Sequence, residues 1–348
     1  MHRRDLMILL AGIATRARAA TAALQFPADF GAHPQSRTEW WYVTGSLQAD
    51  TRLWGFQVTF FRSSTGLQAD ASSRFAATEL VFAHAALTDL AERRLHHDQR
   101  IARSGFGIAQ AGAGDTDVSL RDWRLKRSAG SYRASVVSDS AGFALDLQMA
   151  PTQPLLLQGE AGLSRKGPSP EHTSRYYSEP QLAVRGTLKL RNAPLAVTGS
   201  AWLDHEWSDA FLPPQAVGWD WIGMNLDDGS ALTAFRLRRA DGTSVYAGGS
   251  FRRNGDAVRS FAADELTFTP GRVWQSALSK ARYPMQWRVA TPIGTFTVVA
   301  LLDDQELDSR SSTGAIYWEG LSDLLDASGQ RIGRGYLEMT GYAATLRL

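Results

Sequence analysis

The run Ala201-Trp202-Leu203-Asp204-His205-Glu206-Trp207-Ser208 gathers two carboxyls, an imidazole and two indoles. Side chains alternate along a strand, so Trp202, Asp204 and Glu206 share one face and Leu203, His205 and Trp207 the other. If the first face lines a poorly solvated barrel, both carboxyls cannot easily ionise, and one is held protonated as an acid. Such an acid can protonate an alkene or an ether oxygen while an aromatic face stabilises the cation, and water then completes a hydration. The plainer reading of the same run is that Asp204 and Glu206 face solvent or tie down a loop by hydrogen bonds.

A second cluster is Thr38-Glu39-Trp40-Trp41-Tyr42, followed by Trp54, Phe56 and Phe60. Glu39 among these rings is either another buried acid or one carboxyl at the edge of an aromatic core. Trp219, Trp221 and Asn225 form a comparable stripe, and Trp318-Glu319 adds an acid beside an indole. The seven histidines, at 2, 33, 84, 96, 97, 172 and 205, show no H-x-x-x-H spacing. His33, His84 and His205 could meet with carboxylates only in three dimensions, so no metal and no cofactor is expected. G-x-S-x-G, G-x-x-x-x-G-K-[ST] and a strand-linked G-x-G-x-x-G are all missing, which removes support for a serine hydrolase or a nucleotide enzyme.

The elements that must position these groups read as strands. Asp228-Gly229, Asp241-Gly242 and Asn254-Gly255 recur every 13 residues, each a favoured hairpin turn because its residues accept positive φ. The strand-like runs Ala231–Arg238 and Ser244–Arg252 lie between them, so residues 219–261 should form an antiparallel meander. Residues 40–47, 53–61, 79–88, 131–138 and 142–148 show the same grammar, and long amphipathic helices are missing. Residues 159–179, rich in Gly, Pro, Ser and charge, read as a long loop at a barrel rim. Pro213-Pro214 marks a junction within 208–218. The expected fold is all-β: two tandem antiparallel barrels that hide their edges by curling, at 22–210 and 211–348, with a pair of sandwiches as the alternative.

The chain has 348 residues, of which 44% are hydrophobic, enough for two cores. Arg3 and Arg4, the apolar stretch 6–14 and Ala17-Arg18-Ala19 read as an export signal over residues 1–19, with a twin-arginine flavour. Its removal takes away four arginines and Asp5, so the formal charge falls from +2 to −1. That balance speaks against nucleic-acid or anionic-membrane partners. No later segment is long and apolar enough to span a bilayer. The absence of cysteine removes disulfides, thiolate chemistry and a Cys-anchored lipoprotein from consideration. A periplasmic or secreted product is expected.

Residues 26–34, 38–45, 82–89, 202–208, 218–221, 317–320 and 335–342, in that order, resemble the family of carotenoid 1,2-hydratase (hydroxyneurosporene synthase) and the AttH-type proteins, lipocalin-like predicted secreted hydrolases. The resemblance implies two lipocalin-like domains with a ligand near their interface or inside a barrel. It also implies that Asp204, in an aromatic-x-Asp-His motif, donates a proton to an isoprenoid double bond. The hydratase branch usually carries Tyr where this chain has Trp202, and Asn where it has Glu206. The AttH-type branch better matches the Asp-His-Glu-Trp wording and the signal. Candidate catalytic residues are therefore Asp204, Glu206 and His205; candidate substrate-binding residues are Trp202, Trp219, Trp221, Glu39, Trp41, Tyr42, His84 and Trp318. The expected function is acid-catalysed hydration or hydrolysis of a lipophilic, isoprenoid- or carotenoid-like small molecule, by a hydratase (hydro-lyase) or a hydrolase. The alternative is a non-catalytic carrier that hands a lipid or hydrophobic metabolite to an ABC transporter permease.

Overall fold

A computed structural model describes residues 23–67, 73, 75–191, 193–210 and 212–346. The export signal expected over residues 1–19 lies outside the described residues. Among these, the only helical elements are two 3-10 turns, Ala28–Phe30 and Ala263–Glu265, and everything else regular is strand. No described helix is long and apolar enough to cross a membrane.

Strands Thr38–Ala49, Arg52–Ser64, Glu79–Asp89 and Arg94–Arg103 form a meander at one end of a 13-stranded antiparallel sheet. Thr38–Ala49 also pairs with Ala193–Ser208, which pairs in turn with Thr173–Leu190. The sheet continues through Phe143–Ala150 and Ser131–Ser138 to Ala109–Ala111. Its two ends curl toward each other: Arg100 Nη2 donates to the Val137 carbonyl at 3.0 Å and the Ser138 hydroxyl to Asp98 at 2.8 Å. The result is a nearly closed barrel whose interior is filled. Val43, Leu47, Phe56, Val58, Val81, Leu145 and Leu147 are at most 1% exposed inside it.

The chain leaves this sheet at Ser208 and enters a 10-stranded antiparallel sheet at Gly218. Gly218–Leu226, Ala231–Arg238, Ser244–Arg252 and Arg259–Phe261 form the expected meander, with Gly229, Gly242 and Gly255 at φ of +82°, +84° and +86° in its turns. The last strand, Arg331–Met339, is inserted between Gly218–Leu226 and Ala315–Leu325. Ile222, Met224, Leu232, Trp287, Trp318 and Leu337 form this sheet's own core.

The two sheets meet through the faces that point away from those cores. Tyr42 and Trp202 from the first pack against Trp221, Phe235, Leu321 and Tyr336 from the second. Close approach depends on two glycines. A Cβ on Gly55 would stand 2.7 Å from the Tyr336 hydroxyl of the second sheet, and one on Gly223 would stand 3.2 Å from the Trp202 ring of the first. Polar ties fix the orientation: Asn225 Nδ2 donates to the Ala201 carbonyl at 3.0 Å and Arg252 Nη1 to the Pro154 carbonyl at 2.8 Å.

One expectation needs correction. The segment 159–179 is not all loop, because the short strand Leu163–Arg165 lies in it and the strand Thr173–Leu190 begins within it and pairs with Ala193–Ser208, with a bulge between Glu179 and Leu182. Composition suggested loop, but the alternation of Ser174, Tyr176 and Ser178 decides the local structure, since each of these side chains is buried against the neighbouring strand.

Candidate active site between the two sheets

A cavity of about 240 Å³ lies where the outer faces of the sheets diverge. Trp40, Tyr42, Phe61, Trp219, Trp221 and Phe235 give it an aromatic wall, and four carboxyls, Asp204, Glu206, Glu319 and Glu338, face into it.

On the first sheet, strand register assembles the acid's surroundings. Asp204 stands opposite Tyr42 on one side and Ser178 on the other, while Tyr176 stands opposite Glu206. Cross-strand neighbours are therefore the residues that reach it. The Ser178 hydroxyl donates to Asp204 Oδ1 at 2.5 Å, Trp202 Nε1 to the same oxygen at 2.6 Å, and the Tyr176 hydroxyl to Oδ2 at 2.7 Å. Trp221 Nε1, from the other sheet, donates to that tyrosine at 3.2 Å. Burial pushes the Asp204 carboxyl up to about 7, against the three hydrogen bonds and with help from the neighbouring Glu206 charge. The net effect is an acid that holds its proton near neutral pH while three neutral donors stand ready to stabilise its conjugate base.

Glu206 is handled differently. Lys166, from the loop before Thr173, places Nζ 2.7 Å from Oε1, and the Ser174 hydroxyl donates to the same carboxyl. The ammonium also lies 4.3 Å from the Phe235 ring centre, bridging to the second sheet.

On the second sheet, Glu319 and Glu338 stand opposite each other on paired strands. Burial raises the Glu319 carboxyl well above the usual range, and Glu338 raises it further. Glu338 is pushed up to about 7 by burial, opposed by a hydrogen bond from Trp219 and reinforced by the charges of Asp204 and Glu206. The two behave as one titrating pair. At the rim, His84 is bonded to the Tyr317 hydroxyl at 2.7 Å and to Ser312 Oγ at 2.8 Å. Burial drives its imidazole down to about 3, so it acts there as a neutral bridge between the sheets.

Of the residues singled out from sequence, Asp204, Glu206, Trp219, Trp221, Tyr42 and His84 line the cavity, and Trp202 supports Asp204 from beneath. Glu39, Trp41, His205 and Trp318 do not. They occupy the opposite faces of the same strands, because alternation sends every second side chain into a sheet's own core. Glu39 accepts from His205 Nε2 at 2.8 Å, His33 Nδ1 at 2.7 Å and Arg62 Nε at 2.8 Å inside the barrel. Trp41 stacks on His205 at 4.5 Å, and Trp318 Nε1 donates to the Asp303 carbonyl in the second core. The face carrying Asp204 and Glu206 therefore points out of the barrel, not into it.

His33, Glu39 and His205 present ligand atoms within 4.8 Å of one another. The Glu39 oxygens are already shared among two imidazoles, the His33 amide and the Arg62 guanidinium, whose charge disfavours a cation, so the donor set fits a hydrogen-bonded core better than a metal. Sequence reading missed Tyr176, Ser178 and Lys166, which lay in the presumed loop, and Glu338. For Tyr176 and Ser178 the alternation was visible; for Glu338 only the strand pairing reveals its partner.

A model of the AttH-like family matches residues 17–342. The fold is similar to that of an AttH-type protein of Nitrosomonas europaea, at 46% identity and a TM-score of 0.86 over 96% of this chain and 100% of that one. It is also similar to kievitone hydratase of Nectria haematococca, at 17% identity and a TM-score of 0.71 over 94% and 95% of the two chains, which bears on the fold alone. No curated protein matches the chain. With the family model matched from residue 17 to residue 342, the all-β, lipocalin-like chain belongs to the AttH-like family.

Proposed function

We propose that this protein is a hydratase that adds water across a carbon–carbon double bond of a lipophilic, isoprenoid-like substrate, with Asp204 as the acid. The observation that carries this is the Asp204 carboxyl, pushed up to about 7 inside an aromatic cavity and ringed by Ser178, Tyr176 and Trp202. An acid whose pKa sits near the working pH combines a high protonated fraction with an easy transfer. The Asp204 proton goes to one alkene carbon, and the cation left on the other is stabilised by the aromatic faces of Trp219 and Trp221. Water adds to that carbon, the surplus proton passes to Glu338, and its return to the Asp204 carboxylate, to which Glu338 is electrostatically linked, restores the acid. The same acid would serve hydrolysis of an ether, with oxygen as the proton acceptor.

The test is turnover of terminal isoprenoid alkenes in oxygen-18 water, read by mass spectrometry. Wild type should form the labelled alcohol, and Asp204→Asn should lose at least about 10²-fold of that rate while still binding the alkene. The same unaltered ligand bound by both proteins would instead support a carrier serving an exporter. Export through residues 1–19 belongs to this proposal and places the reaction outside the cytoplasm.

A further inference from the structure

Three side chains lead from the second sheet to the acid. The Ser250 hydroxyl donates to Gln158 Oε1 at 2.8 Å, Gln158 Nε2 donates to Ser178 Oγ at 2.8 Å, and the Ser178 hydroxyl donates to Asp204 Oδ1 at 2.5 Å. Ser250 comes from Ser244–Arg252 of the second sheet, Gln158 follows the two-residue strand Leu156–Leu157, and Ser178 lies on Thr173–Leu190. All three are at most 2% exposed, which keeps bulk water from competing for their hydrogen bonds.

An amide has one donor end and one acceptor end, and a hydroxyl has a single proton. With Ser250 on its oxygen, Gln158 presents its nitrogen to Ser178. With that N–H on its own oxygen, Ser178 gives its proton to Asp204. Every bond in the chain therefore points the same way, at Oδ1. Trp202 Nε1, which can only donate, reaches the same oxygen at 2.6 Å. Two donors fill the lone-pair sites of Oδ1 and leave no place there for an acidic proton. Oδ2 is different. It is bonded to the Tyr176 hydroxyl at 2.7 Å, which Trp221 Nε1 holds in turn at 3.2 Å, and it keeps a second lone pair for the proton.

We propose that Gln158 and Ser250 are positioning residues of the acid: by locking the Ser178 hydroxyl onto Oδ1 they confine the transferable proton to Oδ2. This deepens the reading of Asp204 as the proton donor and rests on it. Because Ser250 belongs to the second sheet, docking of the two sheets sets the acid as well as enclosing it.

The experiment is a pH titration by carbon-13 NMR of protein carrying carboxyl-labelled aspartate, with the Asp204 signal identified by its loss in Asp204→Asn, alongside the oxygen-18 turnover assay. The ionisable groups that face Asp204 stay in place in every variant: Tyr42, Tyr176 and Glu206 from its own sheet, Lys166 from the preceding loop, Glu319 and Glu338 from the second sheet. Ser178→Ala removes a donor to the carboxylate and should raise the Asp204 pKa by about one pH unit. Gln158→Leu and, more weakly, Ser250→Ala should raise it in the same direction and lower kcat roughly threefold to tenfold with KM unchanged. Gln158→Leu combined with Ser178→Ala should shift the pKa no further than Ser178→Ala alone, because Gln158 acts through that hydroxyl. An Asp204 pKa that falls in Ser178→Ala would overturn the proposal, by showing that the serine accepts from the acid and the chain runs the other way. Additive shifts in the double variant, or an unmoved pKa in both Gln158→Leu and Ser250→Ala, would overturn it too. Coupled shifts in a wild type that hydrates no alkene would support the placement of the proton and sink the hydratase reading instead.

Discussion

Two buried carboxyls, Glu39 and Asp204, lie on neighbouring paired strands and meet opposite fates. Glu39 is 0% exposed in the barrel interior, yet its carboxyl is held well below the usual range: burial would raise it, but hydrogen bonds and charge from His205 and His33 prevail. Asp204 is 3% exposed on the outer face, and burial raises it because its partners are a serine, a tyrosine and an indole, none of which carries charge. Burial is the same in both places. What differs is what stands beside the carboxyl, two imidazoles and the Arg62 guanidinium for Glu39 but only neutral donors for Asp204, and this separates a structural ion cluster from a proton-holding cavity.

The largest effect should come from breaking the cluster inside the barrel. Glu39→Gln takes the carboxylate from between Arg62, His33 and His205, leaving Arg62 only Glu79 at 3.1 Å, and should cost about 3–5 kcal/mol of stability, measured by urea unfolding. A loss below about 1 kcal/mol would show that the cluster does not depend on charge.

The comparison then sharpens with pH. The folded pKa of Asp204 lies above its unfolded value, so the folded state binds the extra proton, and stability on its account is highest below pH 4 and falls as pH rises toward 7. Asp204→Asn removes that loss. The variant should match wild type near pH 4 and exceed it above pH 7, by up to about 4 kcal/mol. Glu39 has the opposite sign: its contribution is present at neutral pH and disappears as pH falls through and below the carboxylate range. Thermal unfolding of wild type, Asp204→Asn and Glu39→Gln across pH 3–8 checks both signs; parallel curves would refute the contrast.

Packing between the sheets should matter less than either charge. Gly223→Ala forces a methyl group against the Trp221 ring of its own strand and the Trp202 ring of the facing sheet and should cost about 1–3 kcal/mol while shifting the tryptophan emission. An unchanged Tm would mean that the sheets separate more easily than their contacts indicate.

The smallest effect concerns Lys166. Its replacement by Met leaves the Glu206 charge uncompensated beside Asp204 and should move the upper limb of the pH–rate profile upward by about one pH unit. A profile that stays in place would show that Asp204 does not feel Glu206.

Much of the fold was legible because it follows from local rules. The turns at Gly229, Gly242 and Gly255 announced three hairpins, and alternation correctly divided Trp202, Asp204 and Glu206 from Leu203, His205 and Trp207. The same rule could not say which face was inside. Trp41 and Tyr42, or Trp318 and Glu319, are equally aromatic or acidic on paper, and their neighbours in sequence point to opposite environments. Composition also misled at 173–179, where Ser and charge marked not a loop but the polar face that holds Asp204.

By itself, then, the sequence determined strands, turns, two sheets' worth of apolar faces, and the presence of one acid among indoles, since each depends on spacing within a few residues. Only the tertiary structure decided that the acid faces a second sheet instead of a barrel interior, that Glu319 and Glu338 join it there, and that Glu39 does not. Those outcomes depend on which distant strands pair and on what charge arrives across the gap. A carboxyl's proton is governed by the groups that surround it in space, and neighbours in space need not be neighbours in sequence.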